Sequence, residues 1–141
     1  VEGHPLPWTV AGGVLRDAAG ARVGAGWAAR PRGGSVAVTA PDGRRWTARP
    51  ARLLLSDVRV DAPAGRLLLR RAPRGAGLGR FTRLISRADG AGPALRSVAG
   101  PGGITLDLAE PAAADPGLDR ESLIIAALLC AHLDGPGRLR G

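Results

Sequence analysis

The stretch "DRESLIIAALLCAHLDG", residues 119–135, decides how the chain is read. Within it, nine consecutive apolar residues run from Leu123 to Ala131. Helix signals bracket them. Asp119 is placed to cap the N-terminus, Glu121 favours the positive end of the helix dipole, and Gly135 followed by Pro136 is a stop. Such a helix has no polar side to turn to water, and three environments could take it. A membrane span needs about 20 apolar residues, more than this run supplies. A helix lying on one sheet face is normally amphipathic; here only Ala126, Ala127 and Ala131 offer a weakly exposed stripe. The third environment is enclosure by a sheet. A helix over residues 119–133 is about 22 Å long, the height of a strand of six or seven residues at about 20 Å. Enclosure is therefore the preferred reading.

The rest of the chain can supply the sheet. Alternation of apolar and polar residues recurs in "RVGAGWAAR" (residues 22–30), where Val23, Ala25, Trp27 and Ala29 share a face. It recurs in "SVAVTA" (35–40), "RWTAR" (45–49), "SDVRVD" (56–61) and "ITLDLA" (104–109). Period-two patterning of this kind marks antiparallel strands with one wet face. "RLLLRR" (66–71) and "RFTRLIS" (80–86) read as strands with poorer alternation, and further strands are expected in "WTVAGGVL" (8–15). "DAAG" (17–20), "PDG" (41–43), "DAPAG" (61–65) and "ADG" (88–90) have the Asp and Gly of hairpin turns. The expected architecture is mainly β: a closed antiparallel β-barrel of about ten to twelve strands around a hydrophobic C-terminal α-helix. It forms one domain over residues 1–141, with barrel strands over about 8–108, the helix over about 119–134 and a frayed tail over 135–141.

Composition narrows function less than architecture. The chain has 45% hydrophobic residues, 3% aromatic residues and a formal charge of +8, with a mean hydropathy of +0.02 and a pI near 11.6. Every one of its 20 basic residues is arginine, and Lys, Asn, Gln, Met and Tyr are absent. A basic balance suits nucleic acid or an anionic membrane, and a GC-rich coding sequence produces the same bias. One cysteine, Cys130, excludes an internal disulfide framework, and its place in the apolar run makes it a buried thiol. The first ten residues show no signal-peptide pattern. The cytoplasm, with a peripheral position at the membrane, is the expected location.

The hairpin turns of "D-x-x-G" and "DG" type, followed by the terminal "LDRESLIIAALLCAHLD", resemble the tubby C-terminal-like superfamily. That superfamily comprises tubby proteins, phospholipid scramblases and LURP-one-related proteins. The resemblance implies a closed barrel of about twelve strands wrapping a hydrophobic C-terminal helix. It also implies a non-enzymatic module: tubby proteins bind phosphoinositide headgroups through basic surface residues, and scramblases are membrane-associated. The tubby binding positions include lysines, which this chain lacks, so they do not transfer to residues here.

Residue patterns that carry chemistry are sparse. His4 and His132 lie at opposite ends, which leaves no clustered metal ligands and no partner for a Ser-His-Asp site. Asp57 and Asp61 fall at turn edges or outward positions, as solvated surface carboxylates do. "GAGLGRF" (75–81) lacks the spacing of a nucleotide loop, and without lysine there is no P-loop. No catalytic residue, metal or cofactor is expected. The positive signal is basic: Arg66, Arg70, Arg71, Arg74 and Arg80 gather around one loop, and Arg44, Arg45, Arg49 and Arg52 form a second cluster. Guanidinium forks match phosphate geometry. The partner expected for the first cluster is an anionic lipid headgroup or membrane surface. The alternative is a basic small barrel that binds nucleic acid, which is disfavoured because Trp27 and Trp46 sit on apolar faces rather than outside for base stacking.

Overall fold

The structure, a computed structural model, describes residues 4–50, 57–63, 65–71, 82–87, 93–100, 102–109 and 118–134. Ten strands form one antiparallel sheet: β1 (Trp8–Ala11), β2 (Val14–Arg16), β3 (Ala28–Arg32), β4 (Ser35–Thr39), β5 (Arg45–Pro50), β6 (Val58–Ala62), β7 (Gly65–Arg71), β8 (Thr82–Arg87), β9 (Pro93–Gly100) and β10 (Gly103–Leu108). The helix α1 (Arg120–Asp134) follows. From β3 to β10 the sheet is a simple meander, and the β1–β2 hairpin then adds to β10. This hairpin is the pair of strands expected within "WTVAGGVL". Its Gly12 and Gly13 take positive φ, the conformation that a tight turn between two antiparallel strands demands.

The alternation in the sequence becomes the two faces of the sheet. In β6, Val58 and Val60 are buried while Arg59 and Asp61 are exposed; in β10, Ile104 and Leu106 are buried while Thr105 is exposed. Leu67 and Leu69 of β7, Ile85 of β8 and Leu95 of β9 extend the inner face. This face curls around α1, which touches β1, β3, β4, β6, β9 and β10. Leu123, Ile124, Ile125, Ala126, Ala127, Leu129 and Cys130 are wholly buried. Ala126 and Ala127 are therefore close-packing positions, Ala131 alone of the three alanines is partly exposed, and the curled sheet meets the helix on more than one side. Burying the large aliphatic side chains of this set contributes on the order of 10 kcal/mol gross, at about 1.5–3 kcal/mol each. Among the described residues, no helix is long and apolar enough to cross a membrane.

Two expectations are corrected. The barrel is not closed: the sheet curls through 268° and stays open between its edge strands β2 and β3. The segment expected to form a strand over 22–30 lies at this opening, and only Ala28 onward is strand. The backbone explains both results. Gly20, Gly24 and Gly26 have positive φ, which interrupts any extended ladder. Asp17 adds a competing local structure, because its Oδ1 accepts hydrogen bonds from the backbone N–H groups of Ala19 and Ala21, both at 2.9 Å. On the other edge, β3 contains Pro31, whose nitrogen has no hydrogen to donate.

The opening is nonetheless covered. Residues 17–27 cross it as a strap, joined to β2 by a single bridge between Arg16 and Arg22 and by the Val23 N–H donating to the Leu15 carbonyl at 2.8 Å. Val23 turns inward and is buried. A Cβ on Gly24 would lie 3.2 Å from Cγ2 of Ile124, so the strap runs directly against the helix. Trp27 ends the strap by stacking on Trp46, with ring centroids 5.4 Å apart. The strap is anchored at its start by Asp17, whose Oδ2 lies 2.9 Å from Nδ1 of His4.

Polar contacts fix both ends of α1. At the start, Asp119 Oδ1 accepts from the Ser122 N–H at 3.1 Å, as the sequence led one to expect of a cap. Glu121 pairs with Arg44 at 2.9 Å and so ties the helix to the β4–β5 turn. At the far end Asp134 receives Arg83 in a two-pronged pair, Nε to Oδ2 at 2.7 Å and Nη2 to Oδ1 at 2.9 Å. Arg71 adds a third contact at 3.3 Å. The side chains of Arg83 and Asp134 are each only 3% exposed. Burial opposes the charge on Arg83, but the hydrogen bond and charge of Asp134 outweigh it and raise the guanidinium pKa above its ordinary value.

Asp134→Ala removes the two-pronged partner of the buried Arg83 guanidinium, and denaturant unfolding should show a loss of about 3–5 kcal/mol. The Asp17 carboxyl is held below the usual range by His4 first, against burial, and then by the Ala21 and Ala19 N–H groups. A depressed pKa contributes stability that is complete above the unfolded value of 3.8 and is lost as pH falls through the folded value. Asp17→Asn should therefore unfold with a flatter pH dependence below about pH 4 than the parent chain.

Candidate anion-binding face

With the inner face committed to the helix, charged side chains collect outside. On β5, the inward Ala48 puts Arg49 outward, and Arg45 projects near the start of the same strand; both are exposed. On β6, burial of Val58 and Val60 turns Arg59 and Asp61 outward, and on β7 burial of Leu67 and Leu69 turns Arg66 and Arg70 outward. The register then sets neighbours across strands: Arg49 opposes Arg59, and Asp61 opposes Arg66. Together Arg45, Arg49, Arg59, Asp61 and Arg66 line a shallow hollow of about 420 Å³, with Thr47 in its floor.

The electrostatics of the hollow are unbalanced. Four arginines line it, and among the described lining residues Asp61 is the only carboxylate. Arg49 and Arg59 stand directly opposite, where side chains on adjacent strands begin about 5 Å apart and like charges repel. Arg66 donates Nε–H to Oδ1 of Asp61 at 2.9 Å. That hydrogen bond, then the Arg66 charge, against a small desolvation, and then Arg59 hold the Asp61 carboxyl below the usual carboxylate range. An arriving phosphate would relieve the Arg49–Arg59 repulsion while accepting hydrogen bonds from planar donors.

The structure redistributes the two clusters read from the sequence. Arg66 lies in the hollow, and Arg70 lies on the same face of β7 with its Nε 3.9 Å from Asp57. Arg71 stands apart from this face: it follows Leu67 and Leu69 in strand parity and reaches Asp134, although its side chain stays partly exposed. Arg74, Arg80 and Arg52 lie outside the described residues. From the second cluster, Arg45 and Arg49 join Arg66. Arg44 instead bonds Asp42 and Glu121 and covers the Trp46 ring, 5.2 Å from its centroid. Arg59 belongs to the face but to neither sequence cluster. Its signal was present in the alternation of "SDVRVD", which turns Arg59 outward, and the β5–β6 register then sets it opposite Arg49.

Other polar groups serve the fold or lack a charge. The Cys130 thiol is pushed up to about 12 by burial, so it is protonated and inert at neutral pH. Among the described residues, no three His, Cys, Asp or Glu side chains come together as metal ligands. A second hollow, of about 290 Å³ beside β1, β9 and β10, is lined by uncharged residues that include Thr9, Val10, Val98 and Thr105.

Comparison with protein-family models, with curated protein sequences and with solved structures gives no match. The face therefore has to be understood from its own physics, and that physics gives a test. Facing arginines on a sheet lower its stability, so Arg59→Thr should raise it by about 0.2–1 kcal/mol in low salt. The gain should shrink in high salt, where the repulsion is screened. Thermal unfolding at two ionic strengths checks this.

Proposed function

We propose that this chain is a non-enzymatic binding module that docks on anionic membrane surfaces through the outer face of β5, β6 and β7. The observation that carries the reading is the convergence of Arg45, Arg49, Arg59 and Arg66 on one hollow. Basic side chains near an anionic bilayer contribute about 1 kcal/mol each, so four are enough for a reversible surface association. Their fork geometry suits phosphate oxygens, and the exposed, shallow hollow suits headgroups presented on a surface. Kinship with the tubby-like superfamily belongs to the same proposal. Its support is the C-terminal helix enclosed by antiparallel strands; the open ten-stranded sheet is smaller than the barrel of about twelve strands in that superfamily.

The same face is less suited to nucleic acid. Single-strand and loop readers stack bases on exposed aromatic rings. Trp46, the one aromatic side chain among the described residues that line the hollow, is half-buried, stacks on Trp27 and is covered by Arg44.

Vesicle co-sedimentation tests the proposal. Phosphatidylserine or phosphoinositide vesicles should pellet the protein, neutral phosphatidylcholine vesicles should not, and added salt should release it. Replacing both Arg49 and Arg59 by Ser should weaken binding by roughly 30-fold. Equal, weak binding to neutral and anionic vesicles would overturn the proposal. Salt-dependent binding to generic DNA or RNA, with none to lipid, would transfer the face to nucleic acid.

A further inference from the structure

We infer that Asp61 is a built-in competitor for the basic face, and that it makes the face select lipid headgroups bearing a phosphate monoester over headgroups of single negative charge. The inference rests on the membrane reading above and specifies its ligand.

Asp61 already occupies part of the site. It opposes Arg66 in the strand register, accepts the Arg66 Nε–H at 2.9 Å and lies within the field of Arg59. Stability does not account for this pair: the two side chains are 76% and 54% exposed, and exposed ion pairs contribute little to folding. The carboxylate instead lowers the positive potential of the hollow where Arg49, Arg59 and Arg66 approach one another. It stays ionised at neutral pH, because the Arg66 hydrogen bond holds its carboxyl below the usual range.

Displacement then depends on charge. A phosphodiester or carboxylate that takes Arg66 from Asp61 exchanges one negative charge for another, with no electrostatic gain. A phosphate monoester carries about −1.5 to −2 charges near neutral pH and three acceptor oxygens. It replaces the Asp61 contact and still has charge and acceptors left for Arg59 and Arg49. Adjacent strands are about 4.8 Å apart, so one such group can lie between arginines of neighbouring strands.

The test compares phosphatidylserine with phosphatidic acid, whose headgroup is a bare monoester. The two vesicle types are matched in surface charge, with the phosphatidic acid at roughly half the mole fraction. The parent chain should partition more strongly onto phosphatidic acid. Asp61→Asn should raise partitioning onto phosphatidylserine about five-fold and narrow the difference between the lipids. Asp107→Asn is the control, adding the same charge on β10. Its amide oxygen can still accept the Leu108 N–H that Asp107 Oδ1 accepts at 2.8 Å, and screening over distance should keep its effect below about two-fold. The inference is overturned if Asp61→Asn behaves as Asp107→Asn does, or if the parent chain does not distinguish the two lipids. In either of those cases the membrane proposal itself stands, because anionic vesicles are still bound. Failure to bind any anionic vesicle would remove both. Glycerol phosphate at the same phosphate concentration should compete poorly; efficient competition would assign the site to free phosphate and overturn the lipid source.

Discussion

The structure depends on one requirement, that a helix apolar on every side be covered on every side. An α-helix surrounded by side chains is about 10 Å across, and no single flat sheet face reaches around it. Ten antiparallel strands meet the need by curling through 268°, and the right-handed twist of strands makes such curling natural. The strap over residues 17–27 covers the remainder, with Val23 turned inward and Gly24 against Ile124. Glycine suits that place for two reasons, a φ of +66° and the lack of space for a side chain beside Ile124.

Apolar burial is nondirectional, so it does not by itself fix how far the helix slides or turns inside its sheath. Ion pairs at the two ends do this. Glu121 meets Arg44 at one end, and Asp134 meets Arg83 and Arg71 at the other. The inner pair is costly to desolvate, and its two-pronged geometry offsets part of that cost. The register brings Arg71, Arg83 and Ser97 side by side across β7, β8 and β9, which makes a polar layer at one end of an otherwise aliphatic interior. Cys130 lies in the same region, within the field of Arg83 and Asp134, yet burial keeps its thiol protonated.

The commitment of the inner face to the helix leaves most of the charged side chains to the outer one. There the chain tolerates arginines in direct opposition, Arg49 against Arg59, an arrangement that works against the sheet. It adds one carboxylate that neutralises only part of the excess charge. A face built only for solubility has no need to gather like charges across three adjacent strands. A phosphate-bearing surface would turn this repulsion into attraction.

Much of the architecture was legible in the sequence, because it rests on local rules. Nine apolar residues between a capping Asp119 and a Gly-Pro stop specify a helix with no wet face, and period-two alternation specifies strands such as β6 and β10. The same alternation assigned Arg45, Arg49 and Arg59 to the outside. Closure was not legible, because it depends on whether residues 17–27 pair with β3, and three positive-φ glycines and the turn at Asp17 decide that geometry. The composition of the basic face was only half legible. Nearness in sequence grouped Arg71 with Arg66 and Arg70, whereas strand parity turns Arg71 toward Asp134. Nearness also separated Arg49, Arg59 and Arg66, which only the pairing of β5 with β6 and of β6 with β7 brings together. The sequence by itself determined which residues face in and which face out, since burial follows a period of two along each strand. Only the tertiary structure decided which outward charges meet, since that depends on register between strands distant in the chain.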